Sequence, residues 1–167
     1  MRILFFITVG MLAACSNKAP PAEIVAADAL TPGEYAMIST VTAFRSTDGA
    51  TPLSKAKVGD VLETRACVAA DGTLDPTIFA EDGGKCKATN SYVRGGRMSL
   101  QLDCARPDAP GQVMPAVDGK FTADQFEGTA TTTTYLKGFG DYVLTRTIAG
   151  KRVGACPPAA PAALAKA

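Results

Sequence analysis

The sequence predicts an all-β fold, mainly antiparallel, with six to eight short strands in a barrel-like or half-closed sheet and one short helical turn. Three observations predict it. Over residues 34–44, Tyr35, Met37 and Val41 fall on one side and Glu34, Thr40 and Thr42 on the other, close to the period of two of a half-buried strand. Gly95-Gly96 stands between two strand-like runs, and two glycines are what a two-residue hairpin turn with positive φ requires. Residues 129–134 read Thr-Ala-Thr-Thr-Thr-Thr, a β-branched run that suits a pleated strand and does not suit a helix.

Ahead of the strands, Arg2 supplies a positive charge, residues 3–12 form an apolar run, and the small residues Ala13 and Ala14 precede Cys15. That is the order of a secretory signal peptide over residues 1–14. A run of this length is half of the ~20 residues that a spanning helix needs. Leu12-Ala13-Ala14-Cys15 resembles the bacterial lipoprotein lipobox. The resemblance implies that Cys15 is the lipidation site and the first residue of the mature chain, acylated with palmitate or a similar chain. Two or three chains, at about 0.8 kcal/mol per buried CH₂, would hold the protein on a membrane. In that motif's sorting rule an aspartate after the cysteine favours the inner membrane. Ser16 therefore implies the outer membrane, facing the periplasm. Residues 15–29, with Pro20, Pro21 and scattered alanines, are expected to be a flexible tether.

The β domain is expected over residues 30–157. Thr31-Pro32-Gly33 is turn chemistry that releases the first strand. Asp48-Gly49 and Pro52 mark residues 46–57 as a loop. Residues 58–68 give a second strand, with Leu62, Ala66 and Val68 as its apolar side. Residues 71–82 are the one helical candidate, because Asp75 before Pro76 matches an N-cap followed by a first-turn proline, and Ile78-Phe79 offers one apolar turn to bury. Asp71, Thr73, Asp75 and Asp82 also sit at calcium-loop offsets. Pro76 occupies the place where such a loop needs glycine, and no glutamate closes it, so capping is preferred and no metal is expected.

Residues 87–94 and 97–103 form the hairpin around Gly95-Gly96. If that pair is the turn, position i faces 191 minus i, which sets Cys86 opposite Ala105 and one residue from Cys104. A bulge would bring the two sulfurs together. Five cysteines less Cys15 leave four, and an exported chain meets an oxidising compartment where an even count reads as disulfides. Cys86 with Cys104 leaves Cys67 with Cys156 by exclusion, a bond that would staple the last strand to the second. Lys85, Lys87, Arg94 and Arg97 lie on the hairpin, where such charges more often blunt an exposed strand than touch lipid headgroups.

Residues 105–111 are a loop. Strands follow at 112–121 and 126–136, the second expected to be a solvated strand near an edge because its threonines leave little grease on either face. Gly138 and Gly140 turn the chain. Tyr142, Leu144 and Ile148 mark a strand over 141–148, and Gly150-Lys151 is expected to lead into a further one over 152–156. Residues 158–167, rich in alanine and proline, are expected to be a disordered tail.

Composition narrows the chemistry. The chain has 17 Lys+Arg, 16 Asp+Glu, no histidine and no tryptophan. Loss of Arg2 with the leader makes the mature chain neutral, which argues against nucleic acid as a partner. Without histidine the triads and the metal motifs built on it are excluded. No Cys-x-x-Cys supplies a zinc site. Carboxylate pairs remain as a histidine-free route to hydrolysis, with Glu81, Asp82, Asp103 and Asp141 as candidates.

Pro32-Gly33-x-Tyr35, Cys86 followed by Gly95-Gly96-Arg97-Met98 and Cys104, Gly128-Thr129, and Gly154-x-Cys156-Pro157 resemble the bacterial domain-of-unknown-function family 3617, over about residues 30–157. The resemblance implies an exported or lipid-anchored β-rich protein and assigns no activity. Tyr35 stands where tryptophan is usual, and the Thr-Pro expected soon after Cys67 is missing. The function expected from all of this is a non-enzymatic envelope lipoprotein, tethered to the membrane by its N-terminal lipid. It would need no cofactor and would bind an apolar ligand or an envelope protein, or contribute structurally. The alternative is a hydrolase using a carboxylate pair.

Overall fold

A computed structural model describes residues 27–158. The signal peptide, Cys15, most of the expected tether and nearly all of the expected tail lie outside the described residues. Seven strands form one antiparallel sheet: β1 (Gly33–Ser46), β2 (Val61–Val68), β3 (Lys85–Arg94), β4 (Arg97–Ala105), β5 (Gly111–Phe121), β6 (Gln125–Leu136) and β7 (Tyr142–Gly154). Their order across the sheet is β2-β1-β7-β6-β5-β4-β3. The sheet curls into a half-barrel, and a single 3₁₀ turn, Pro76–Phe79, is the helical element. Strands β3 to β7 are a meander, while β1 reaches across the chain to pair with β7.

The curl has an inside because each strand alternates. Tyr35, Met37 and Val41 of β1, Val113 and Val117 of β5, Met98, Leu100 and Leu102 of β4, and Leu144 and Ile148 of β7 are buried together. The interior is therefore filled by side chains. The two edges, β2 and β3, do not pair with each other. Residues 69–84 cross the seam between them and insert Ile78 and Phe79, both fully buried, into the interior. Asp75 caps this turn as expected, accepting from Thr77 N–H at 2.9 Å. Thr64 Oγ1 on β2 donates to the Ile78 carbonyl at 2.9 Å, which pins the crossover to one edge.

The hairpin follows the expected arithmetic and then departs from it where a bulge was needed. Arg94 faces Arg97 and Asn90 faces Gln101; the register shifts by one residue between Ala88 and Asn90, and Cys86 then faces Cys104. Gly95 and Gly96 both have positive φ, 57° and 71°. The disulfides are Cys86–Cys104 and Cys67–Cys156. The second spans β1, because β1 lies between β2 and β7.

Three expectations are corrected. Gly150-Lys151 does not break the last strand: β7 runs through it, because the ring of Phe126 lies where a side chain at position 150 would go. The threonine strand β6 is the middle strand of seven rather than an edge, with Thr132 and Thr134 fully buried. The second strand begins at Val61 rather than Val58, and Leu62 on its expected apolar side is 44% exposed because β2 is an edge.

Candidate functional site

Antiparallel register sets outward side chains in rows across the strands, and one row here crosses the whole sheet. Glu63 faces Ile38, Ile38 faces Ala149, Ala149 faces Glu127, Glu127 faces Lys120, Lys120 faces Arg97, and Arg97 faces Arg94. A groove of about 780 Å³ follows this row. Its lining includes every member but Arg94, together with Ala36 and Lys151 one position along and the Gly95-Gly96 turn at its end. Ile38 is 53% exposed in it. The volume falls in the ~300–1,000 Å³ range typical of small-molecule sites. The groove is apolar at Ala36, Ile38 and Ala149 on β1 and β7, where Lys151 and Glu63 flank it, carries Glu127 on β6, and is basic at Lys120 on β5 and Arg97 on β4.

Inside the half-barrel lies a second feature, a polar cluster in the core. Arg146 of β7 points inward, 2% exposed, and donates from Nη2 to the Phe79 carbonyl at 2.7 Å. Glu81, on the crossover, is 7% exposed, with Oε1 3.9 Å from Arg146 Nη2, within ion-pair reach but too far for a hydrogen bond. Tyr142 donates its hydroxyl to Glu81 Oε2 at 3.0 Å and accepts from Arg106 Nη1 at 3.2 Å. Arg106 also holds Asp82 and Asp108, each at 2.8 Å. Burial pulls the Arg146 guanidinium below its ordinary value, with Glu81 acting against that, and burial pushes the Tyr142 phenol up. The Asp108 hydrogen bond pushes Arg106 up and in turn holds Asp108 below the usual carboxylate range. Among the described residues, Arg146 Nε and Nη1, Glu81 Oε1 and Thr132 Oγ1 are buried with no hydrogen-bond partner.

The residues singled out from the sequence are placed as follows. Of the four carboxylates, Glu81 and Asp82 belong to this cluster. Asp103 pairs with Lys87 at 3.2 Å, and Asp141 accepts from Leu136 N–H at 2.7 Å. The residues at calcium-loop offsets have local partners: Asp71 accepts from Thr73 N–H, Asp75 caps the 3₁₀ turn, and Asp82 pairs with Arg106. Among the described residues no three His, Cys, Asp or Glu side chains group as metal ligands would. The basic set on the hairpin divides, since Lys85 and Lys87 stand at its open end and Arg94 and Arg97 at its turn. The threonine run orders backbone: Thr134 Oγ1 accepts from Tyr142 N–H at 2.9 Å where the β6–β7 ladder ends.

Sequence reading missed Arg146, Tyr142 and Arg106 as a unit and missed the groove. A signal for Arg146 was present, because it occupies the inward slot between Leu144 and Ile148 in an alternating strand.

No curated protein and no solved structure matches the chain. The family model described as "Protein of unknown function (DUF3617)" matches residues 30–156, most of the chain, and the protein belongs to that family.

Proposed function

We propose that this protein is an outer-membrane lipoprotein, anchored through acylated Cys15 and facing the periplasm, and that its β domain is a non-enzymatic binding module. Its ligand is an elongated apolar molecule lying in the outward groove. One observation carries the binding reading: the register row builds a groove of small-molecule size whose β1–β7 stretch is lined by Ala36, half-exposed Ile38 and Ala149. The interior of the half-barrel is taken up by Met37, Phe79, Met98 and their neighbours, which leaves the outward face for a ligand. Support for binding over catalysis comes from the four candidate carboxylates Glu81, Asp82, Asp103 and Asp141, each of which has a structural partner. Support for export comes from the four described cysteines, all of which are joined in disulfides.

Two measurements test this. Mass spectrometry of the membrane-extracted protein is expected to find a chain beginning at acylated Cys15; an unmodified soluble form overturns the anchor. The uncharged dye N-phenyl-1-naphthylamine is expected to brighten on binding the wild-type domain and to lose at least tenfold in affinity with Ile38→Asp, which places a charge on an exposed position. A wild-type protein that leaves the dye dark overturns the groove.

A further inference from the structure

The groove is apolar over Ala36, Ile38 and Ala149, with Lys151 beside Ala36, and cationic at its other end, where the cations are unusually arranged. Arg94, Arg97 and Lys120 face one another across three adjacent strands at the Gly95-Gly96 end. Like charges set directly opposite repel and destabilise a sheet. Among the described residues none of the three has an ion-pair partner within 4.0 Å; the cations that do are Arg65, Lys87, Arg106 and Arg146. The nearest carboxylates by register are Glu127, opposite Lys120, and Asp118, opposite Ser99 and hydrogen-bonded to it at 2.9 Å. Neither faces the arginines.

From these observations we infer that the groove takes a single anionic amphiphile, an ionised fatty acid from the membrane surface, with its charged head at Arg97 and Lys120, next to Arg94, and its hydrocarbon over Ala149, Ala36 and Ile38. The inference rests on the groove being a ligand site, as proposed above, and adds the charge and direction of the ligand. The dimensions agree. From Arg97 on β4 to Ile38 on β1 is four strand spacings, about 19 Å at ~4.8 Å each, and one leaflet of a ~30 Å hydrocarbon core is about 15 Å deep. The position of the chain entry agrees as well. Gly96 N–H donates to the Ala27 carbonyl at 2.9 Å, so the polypeptide enters the domain beside the arginines. Cys15 is twelve residues upstream of Ala27, a span of at most about 43 Å, which keeps the cationic end within reach of the bilayer that would supply the ligand.

The test compares two probes with one hydrocarbon tail, cis-parinaric acid, ionised at pH 7, and its uncharged methyl ester. Both are titrated by fluorescence into the mature chain carrying Cys15→Ser, which is free of its own acyl groups. The acid is expected to bind at least tenfold more tightly than the ester. Arg94→Gln with Arg97→Gln is expected to abolish that preference, bringing acid and ester to the same affinity, and the lysine pair R94K/R97K is expected to retain it. Glu127→Gln is expected to strengthen acid binding, and Ile38→Asp to weaken both probes. If acid and ester bind alike, or the glutamine pair leaves the preference intact, the anionic head is overturned and the apolar groove stands. If neither probe binds the wild-type chain, the groove reading itself falls and this inference with it. Circular dichroism confirms that the variants are folded, which is expected for exposed positions.

Discussion

Tyr142 gives its hydroxyl hydrogen to Glu81 at 3.0 Å and takes one from Arg106 at 3.2 Å, so a single phenol on β7 links the β2–β3 crossover to the loop after β4. Tyr142→Phe keeps the ring but leaves a buried carboxylate and a buried guanidinium each short of a partner. Urea unfolding at pH 7 is expected to show a loss of about 1–3 kcal/mol.

Arg146 and Glu81 are a buried pair shielded from bulk water, each with one further hydrogen bond, from Tyr142 to Glu81 and from Arg146 to the Phe79 carbonyl. Arg146→Met leaves Glu81 uncompensated and is expected to cost about 3–5 kcal/mol. The double variant with Glu81→Gln removes the stranded charge and is expected to cost less than the sum of the single changes. A double-mutant cycle by denaturant unfolding measures the difference, and additivity would mean that the two are not coupled.

The two disulfides close loops of very different length, with sequence separations of 18 and 89. In the chain-entropy account these correspond to about 3 and about 4.6 kcal/mol. Replacing Cys67 and Cys156 by serine is therefore expected to lower the melting temperature more than replacing Cys86 and Cys104.

Gly150 lies inside β7 under the Phe126 ring, and a methyl group there overlaps the ring atoms. Gly150→Ala is expected to destabilise by about 1–3 kcal/mol through overpacking, and Phe126→Leu in the same chain is expected to recover part of the loss. Thermal unfolding of the three variants checks this.

Acid should weaken the fold through carboxylates held below their ordinary 3.8. Asp108 is held down by the Arg106 hydrogen bond and Asp48 by the backbone N–H of Asp141. In the unfolded chain both regain ordinary values, so that state binds more protons in acid. Their contribution is present in full above the unfolded value and is lost as pH falls through the folded one. Melting temperature is expected to fall as pH is lowered from 5 to 2, and Asp108→Asn to flatten that fall.

The hairpin was legible because Gly95-Gly96 fixes one local register, and local register also fixes Cys86 against Cys104 to within a bulge. The alternation of Tyr35, Met37 and Val41 likewise named the inward face of β1. Gly150 misled because glycine marks turns far more often than it marks an aromatic ring overhead. The threonines of β6 misled because polarity was taken as exposure, whereas Thr134 is spent on a neighbouring backbone N–H. The groove depends on the register of six strands at once, and no local signal carries a pattern of that range. The core cluster joins residues 36 to 67 positions apart through a curl that exists only when the whole sheet does.

Because β1 pairs with β7, the first strand made has its second partner in the last. A chain synthesised from its N-terminus must hold β1 and β2 as an unfinished hairpin while β3 to β6 zip up by near-neighbour pairing. Such late, distant pairing is the slow part of building a sheet. During that interval Cys67 has as its nearest thiol not its final partner but Cys86, so the order in which strands emerge sets which wrong disulfide a folding helper would have to undo.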